Sequence, residues 1–149
     1  MTDKNVSIMN IGSMGYLPQV FKKIENEKKL NIVYLGGSIT MGCNATRTEL
    51  RYVDRSAKWW QTNFPDAEIS YFNAGIGATT SQFGVARVQE HVLDKQPDLV
   101  FVEFSVNDSS SPLFMETYES LVRRLLKAES VKAVVLINNL FYDTGTGYT

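Results

Sequence analysis

One histidine, His91, and one cysteine, Cys43, are all that this 149-residue chain holds of either residue. A lone cysteine excludes an internal disulfide. With so few soft ligands no metal cluster is apparent, and neither a metal nor a cofactor is expected. Charge of one sign is not in excess: 15 basic against 16 acidic residues leave a net charge of −1. Neither nucleic acid nor an anionic membrane is therefore expected as a partner. No apolar run approaches the roughly 20 residues that cross a bilayer as a helix. The first residues, Met-Thr-Asp-Lys-Asn-Val-Ser, lack the basic-then-apolar signature of a signal peptide, so the cytoplasm is the default location. What remains is an ordinary globular composition, 44% hydrophobic and 21% charged, long enough for one domain over 1–149 with a sizeable core.

The pattern along the chain alternates helix and strand. Residues 1–15 read as an irregular arm, and with the helix after it this leader occupies about 1–30. Leu17, Val20, Phe21 and Ile24 recur at helical spacing. A strand over 32–35 follows, then a helix over 49–64 stopped by Pro65, with Tyr52, Val53, Ala57 and Trp60 on one side. A strand over 68–72, a helix over 80–93 and a strand over 99–104 come next. Pro112 opens a further helix, since proline suits a first turn. The run 131–137 is the fourth strand. Strands separated by helices imply a parallel sheet covered on both faces, an α/β architecture of three layers.

Such sheets bind ligands beyond the carboxyl ends of their strands. Ser38, Gly77 and Asn107 each lie just past the end of a different strand. Ser38 ends the turn Leu-Gly-Gly-Ser at 35–38, where two glycines allow a sharp bend and expose the hydroxyl. Each residue also has a plainer reading. Ser38 suits a helix cap, Gly77 a turn, and Asn107 a turn or cap. Asp108 reads as a cap for the element that follows it. His91 lies inside a helix, away from the rim, and reads as an exposed surface residue. Glu103 is a carboxylate inside Val-Phe-Val-Glu-Phe at 100–104, and a buried carboxylate needs a partner, with Arg47 and Arg87 as candidates. Cys43 reads as a small buried thiol. Trp59 and Trp60 read as helix surface and core.

Three blocks in this order resemble the SGNH (GDSL-like) hydrolases, a family of esterases and lipases with a flavodoxin-like sheet. Gly-Gly-Ser-Ile-Thr at 36–40 resembles the first block, in the form carried by members that resemble carbohydrate esterases. Asn-Ala-Gly-Ile-Gly-Ala-Thr at 73–79 resembles the second, and Phe-Ser-Val-Asn-Asp at 104–108 the third. The resemblance implies Ser38 as nucleophile and oxyanion N–H, Gly77 as a second oxyanion N–H, and Asn107 as the side-chain donor. Losing one such donor typically costs about 3–4 kcal/mol of transition-state stabilisation. It also implies a last block, Asp-x-x-His, supplying the base and its orienting acid. The sequence contains no Asp-x-x-His, and the family's fifth strand is missing too. The expectation is a chain that stops before the family domain ends, with the catalytic His and Asp absent and activity impaired.

The implied function is a serine esterase acting through an acyl-enzyme on small-molecule or carbohydrate esters, acetylated sugars among them. The alternative is a non-catalytic ligand- or carbohydrate-binding module on the same fold. Nucleotide binding fits poorly: Gly-Ile-Gly-Ala-Thr-Thr at 75–80 lacks the third glycine, and no Gly-Lys-Ser/Thr loop exists. The apolar strand 131–137 reads as buried on both faces and paired on both sides, yet nothing after it reads as a strand or helix. A second copy pairing along that edge, giving a dimer, is one way to cover it.

Overall fold

The computed structural model describes residues 10–139. Among these described residues four strands form one parallel sheet in the order β2-β1-β3-β4. They are β1 (Lys29–Gly36), β2 (Glu68–Gly75), β3 (Leu99–Glu103) and β4 (Ala133–Leu136). Five α-helices accompany them: α1 (Leu17–Glu27), α2 (Ser38–Met41), α3 (Tyr52–Asn63), α4 (Ser81–His91) and α5 (Pro112–Leu126). The register sets Gly36 opposite both Gly75 and Glu103, so three strands end level with one another. This is the expected α/β sheet.

Period-two alternation along β1 divides the core. Leu30, Ile32 and Tyr34 point to one face, where Val20 and Ile24 of α1 and Val53 and Trp60 of α3 cover them. Val33 and Leu35 point to the other, against Val88 of α4 and Leu121 and Leu125 of α5. Burying a side chain of this size stabilises by about 1.5–3 kcal/mol. Trp60 is buried and Trp59 exposed, as expected.

Several features differ from the sequence expectation, among them β1, which runs from Lys29 to Gly36 rather than over 32–35. The helix expected over 49–64 is broken: Thr48–Leu50 is a 3₁₀ turn, and Arg51 is extended before α3 begins. Arg51 leaves the helix because its guanidinium folds back onto Asp54 and its stem fills the space beside Gly42. Strand β2 runs three residues longer than expected, carrying the chain out to Gly75. Strand β4 forms, but among the described residues it pairs only with β3, and Leu136 is 48% exposed. Its expected burial on both faces is therefore not met. The segment after Asn139 lies outside the described residues.

Candidate active site

The site begins with a turn that only small residues permit. A Cβ on Gly36 would overlap the Thr40 side chain and lie 2.6 Å from the Glu103 carbonyl oxygen. A Cβ on Gly37 would fall 2.7 Å from Asn107 Oδ1 and 3.4 Å from the Thr79 carbonyl oxygen. The first glycine thus lets β1 run tight against the end of β3. The second lets the loop after β2 and the loop after β3 close on the residue that precedes Ser38. Gly37 N–H donates to the Glu103 carbonyl at 3.3 Å, and Ile76 N–H donates to the Gly36 carbonyl at 3.1 Å.

Ser38 opens α2, a single turn whose length gives no periodicity to read. The helical reading of Ser38 is therefore half met: Gly37 is the cap and Ser38 the first helical residue. Its N–H is one of the donors that a helix start leaves unpaired. Neither it nor Gly77 N–H donates to any group among the described residues. Asn73 holds the turn from below, donating from Nδ2 to the Thr40 carbonyl at 2.8 Å and accepting Gly75 N–H at 2.9 Å. Gly77 packs against α2: a Cβ there would lie 3.3 Å from Met41 Cε. After β3, Asn107 and Asp108 both donate their N–H to the Phe104 carbonyl, at 3.0 and 2.9 Å. Asn107 Oδ1 is buried without a partner beside Gly37, and its Nδ2 donates to no group among the described residues. The structure therefore gathers Ser38, Gly77 and Asn107 at one rim, with two backbone N–H groups and one side-chain amide uncommitted. This inventory suits an anion that develops during acyl transfer.

Residues 34–148 match the GDSL-like Lipase/Acylhydrolase family. The chain belongs to that family.

Solved structures agree with this membership. A two-domain esterase active on acetylated mannans is 48% identical, with a TM-score of 0.87 over 91% of this chain and 37% of that one. An acetylxylan esterase from Geobacillus stearothermophilus is 25% identical, with a TM-score of 0.58 over 72% of this chain and 58% of that one. A gut microbial diltiazem-metabolizing enzyme shares the fold at 24% identity and a TM-score of 0.64, over 77% of this chain and 28% of that one. The chain thus spans little more than a third of the length of the mannan-active esterase it matches. No match is found among curated proteins. Among the described residues no helix is long and apolar enough to cross a membrane, and no group of three or more His, Cys, Asp or Glu is arranged to hold a metal.

Several side chains sit elsewhere than the sequence implied. His91 is half-buried rather than exposed, with Nδ1 3.3 Å from Arg87 Nη1. It is the last residue of α4, lines a pocket with Ala74, Gly75 and Ile76 at the end of β2, closer to the rim than expected, and is engaged by Arg87 rather than by Ser38. Glu103 is fully buried, but neither Arg47 nor Arg87 is its partner. Arg47 pairs with exposed Glu49. Instead Thr40 Oγ1 donates to Glu103 Oε2 at 3.4 Å, Thr40 Oγ1 also meets Tyr52 Oη at 2.9 Å, and Glu103 Oε1 has no partner. Burial, with the Glu103 charge adding to it, pushes the Tyr52 phenol well above its usual range. Cys43 is exposed rather than buried, because α2 ends at Gly42 and the chain turns outward. Asp108 caps a helix, but not the one that follows it: Oδ1 accepts Ser81 N–H of α4 at 2.9 Å.

Arg87 is the residue the sequence reading undervalued. It is 5% exposed, and burial lowers its guanidinium below the usual value. It donates from Nη1 to the Ala74 carbonyl at 2.6 Å and from Nη2 to the Gly36 carbonyl at 3.1 Å. The one available signal was an arginine on the apolar side of a helix that also carries Val88. A second feature lies behind the third block. Ser105, Asp108, Phe114, Tyr118, Leu126 and Leu136 line part of a cavity of about 640 Å³ between α5 and β4.

Proposed function

We propose that this chain carries the nucleophile and oxyanion donors of a serine esterase that removes acetyl groups from mannan-type carbohydrates through an acyl-enzyme. The observation that carries this reading is the convergence of Ser38, Gly77 and Asn107 on one rim with their donors uncommitted. The substrate class follows from the relative active on acetylated mannans, 48% identical over 91% of this chain.

In this reading Ser38 Oγ attacks the acetyl carbonyl carbon and a base takes its proton. Negative charge collects on the carbonyl oxygen, facing the N–H groups of Ser38 and Gly77 and the Nδ2 of Asn107. Collapse breaks the bond to the sugar oxygen, which leaves with the proton. Water then attacks acetyl-Ser38 and releases acetate. No base stands beside Ser38 among the described residues, and His91 is held by Arg87. A hydroxyl without a base is a weak nucleophile. With no base beside Ser38 among the described residues, turnover through Ser38 is therefore expected to be slow.

The test is acetate release from acetylated manno-oligosaccharides, comparing the chain with Ser38→Ala, with and without added imidazole. The expected result is a slow rate that vanishes in Ser38→Ala and rises with imidazole only when Ser38 is present. Equal rates from both chains, or binding of the oligosaccharide with no release under either condition, would favour the non-catalytic binding module. The edge of β4 that no strand pairs with among the described residues is where a second copy would pair. A monomeric mass by light scattering at high concentration would remove that arrangement.

A further inference from the structure

Both backbone donors of the rim are N–H groups, so their aim is fixed by the peptide planes that lead into Ser38 and Gly77. Gly36 lies two residues before Ser38, and Ala74 lies three before Gly77. One guanidinium reaches both carbonyls, at 3.1 and 2.6 Å. The same Gly36 carbonyl accepts Ile76 N–H, from the residue before Gly77. Arg87 thus bridges β1 and β2 where they leave the sheet for the two loops that carry the donors.

The energetics argue that this arrangement is more than packing. A buried cation is costly unless it is paired. Among the described residues no carboxylate pairs with Arg87, and its Nε is buried without a partner. It rests on two carbonyl dipoles, on His91 Nδ1 at 3.3 Å, and beside the Phe83 ring, 5.7 Å from Cζ. An apolar side chain of similar volume often replaces a buried charge with no loss of stability. A fork that spans two carbonyls on neighbouring strands does what such a side chain, or the single ammonium of lysine, does not.

We propose that Arg87 is a positioning residue for the esterase chemistry, clamping the ends of β1 and β2 so that Ser38 N–H and Gly77 N–H converge on one oxygen. The catalytic half of this statement rests on the esterase reading above. The clamp itself does not.

The experiment compares ¹⁵N-labelled wild-type chain with Arg87→Met and Arg87→Lys, reading amide shifts and hydrogen exchange, and then acetate release on the same samples. In Arg87→Met the Ser38 and Gly77 amide signals move and Ile76 N–H exchanges at least about tenfold faster, while amides in the β3–β4 ladder keep their wild-type values. Arg87→Lys, holding one carbonyl, falls between the two. The Ser38-dependent kcat drops by about 10- to 100-fold in Arg87→Met with KM within about twofold, as expected when donors lose alignment rather than substrate contact. A folded Arg87→Met with wild-type Ser38 and Gly77 amides overturns the proposal, and so does a KM rise at constant kcat. Should Arg87→Met fail to fold, unchanged rim amides and kcat in Arg87→Lys overturn it equally. A wild-type chain with no Ser38-dependent release contradicts the esterase reading alone, and the amide comparison still decides the clamp.

Discussion

Asp108 Oδ1 accepts the backbone N–H of Ser81 at 2.9 Å, so the loop after β3 caps the helix that follows β2. This bond joins the third sequence block to the helix that follows the second. It holds Asn107, the neighbour of Asp108, in place from one side, while the turn onto the Phe104 carbonyl holds it from the other. Replacing a capping aspartate by alanine costs about 0.5–2 kcal/mol. Asp108→Ala should lose stability in that range by urea unfolding, and Asp108→Asn should lose less, because Asn keeps an acceptor for Ser81.

The Thr40–Glu103 contact lies directly beneath the nucleophile turn. Thr40 Oγ1 is the only partner of the Glu103 carboxylate among the described residues. Thr40→Val keeps the shape and removes the donor, leaving a fully buried carboxylate unsatisfied. The expected loss is about 1–3 kcal/mol, read as a lower urea midpoint with an unchanged slope. Tyr52→Phe removes only the second neighbour of Thr40 and should cost less than Thr40→Val.

Two glycines of the second block should respond differently to alanine. A Cβ on Gly75 would run into the backbone of α2 at Thr40 and Met41, which has no room to give. Gly75→Ala is expected to destabilise the fold by several kcal/mol, beyond the about 1–3 kcal/mol usual for overpacking. A Cβ on Gly77 meets only the flexible end of Met41, at 3.3 Å. Gly77→Ala should fold within about 1 kcal/mol of wild type by thermal or urea unfolding, since side-chain relaxation limits the cost.

The Arg51–Asp54–Tyr71 cluster sets an acid limit on stability. Burial favours the neutral Asp54, but hydrogen bonds from Arg51, at 2.7 Å, and from Tyr71, at 2.9 Å, outweigh it. The carboxyl is held below its ordinary value of 3.8. A carboxylate depressed in the folded state adds stability above its unfolded value and loses it as pH falls through the folded one. Wild type should therefore exceed Asp54→Asn in stability at neutral pH, and the gap should close as pH drops below 3.8. A gap that persists unchanged in acid would contradict this assignment.

The sheet and the three blocks were legible because strands and glycine turns are local. Apolar runs marked all four strands, and the glycines before Ser38 marked the turn. What escaped the sequence depended on distant partners. Glu103 needed Thr40, far away in the chain, and nothing near either residue announces the pair. Helix α2 is one turn long, too short for a 3.6-residue pattern. The break at Arg51 follows from packing beside Gly42, and the exposure of Cys43 from the turn after α2. Arg87 was visible as an arginine on a helix, but its two carbonyl partners arise only when β1 and β2 pair.

Ser38 as the acylated residue can be checked by intact mass with peptide mapping. The chain and its Ser38→Ala variant would be incubated with p-nitrophenyl acetate, quenched in acid and digested. The expected result is one acetyl group on the peptide containing Ser38 in the wild-type chain, accumulating because no base stands beside Ser38 among the described residues, and none at that position in the variant. A folded wild-type chain that stays unacetylated at Ser38, or that is acetylated only at other positions and at the same rate in both chains, would contradict it.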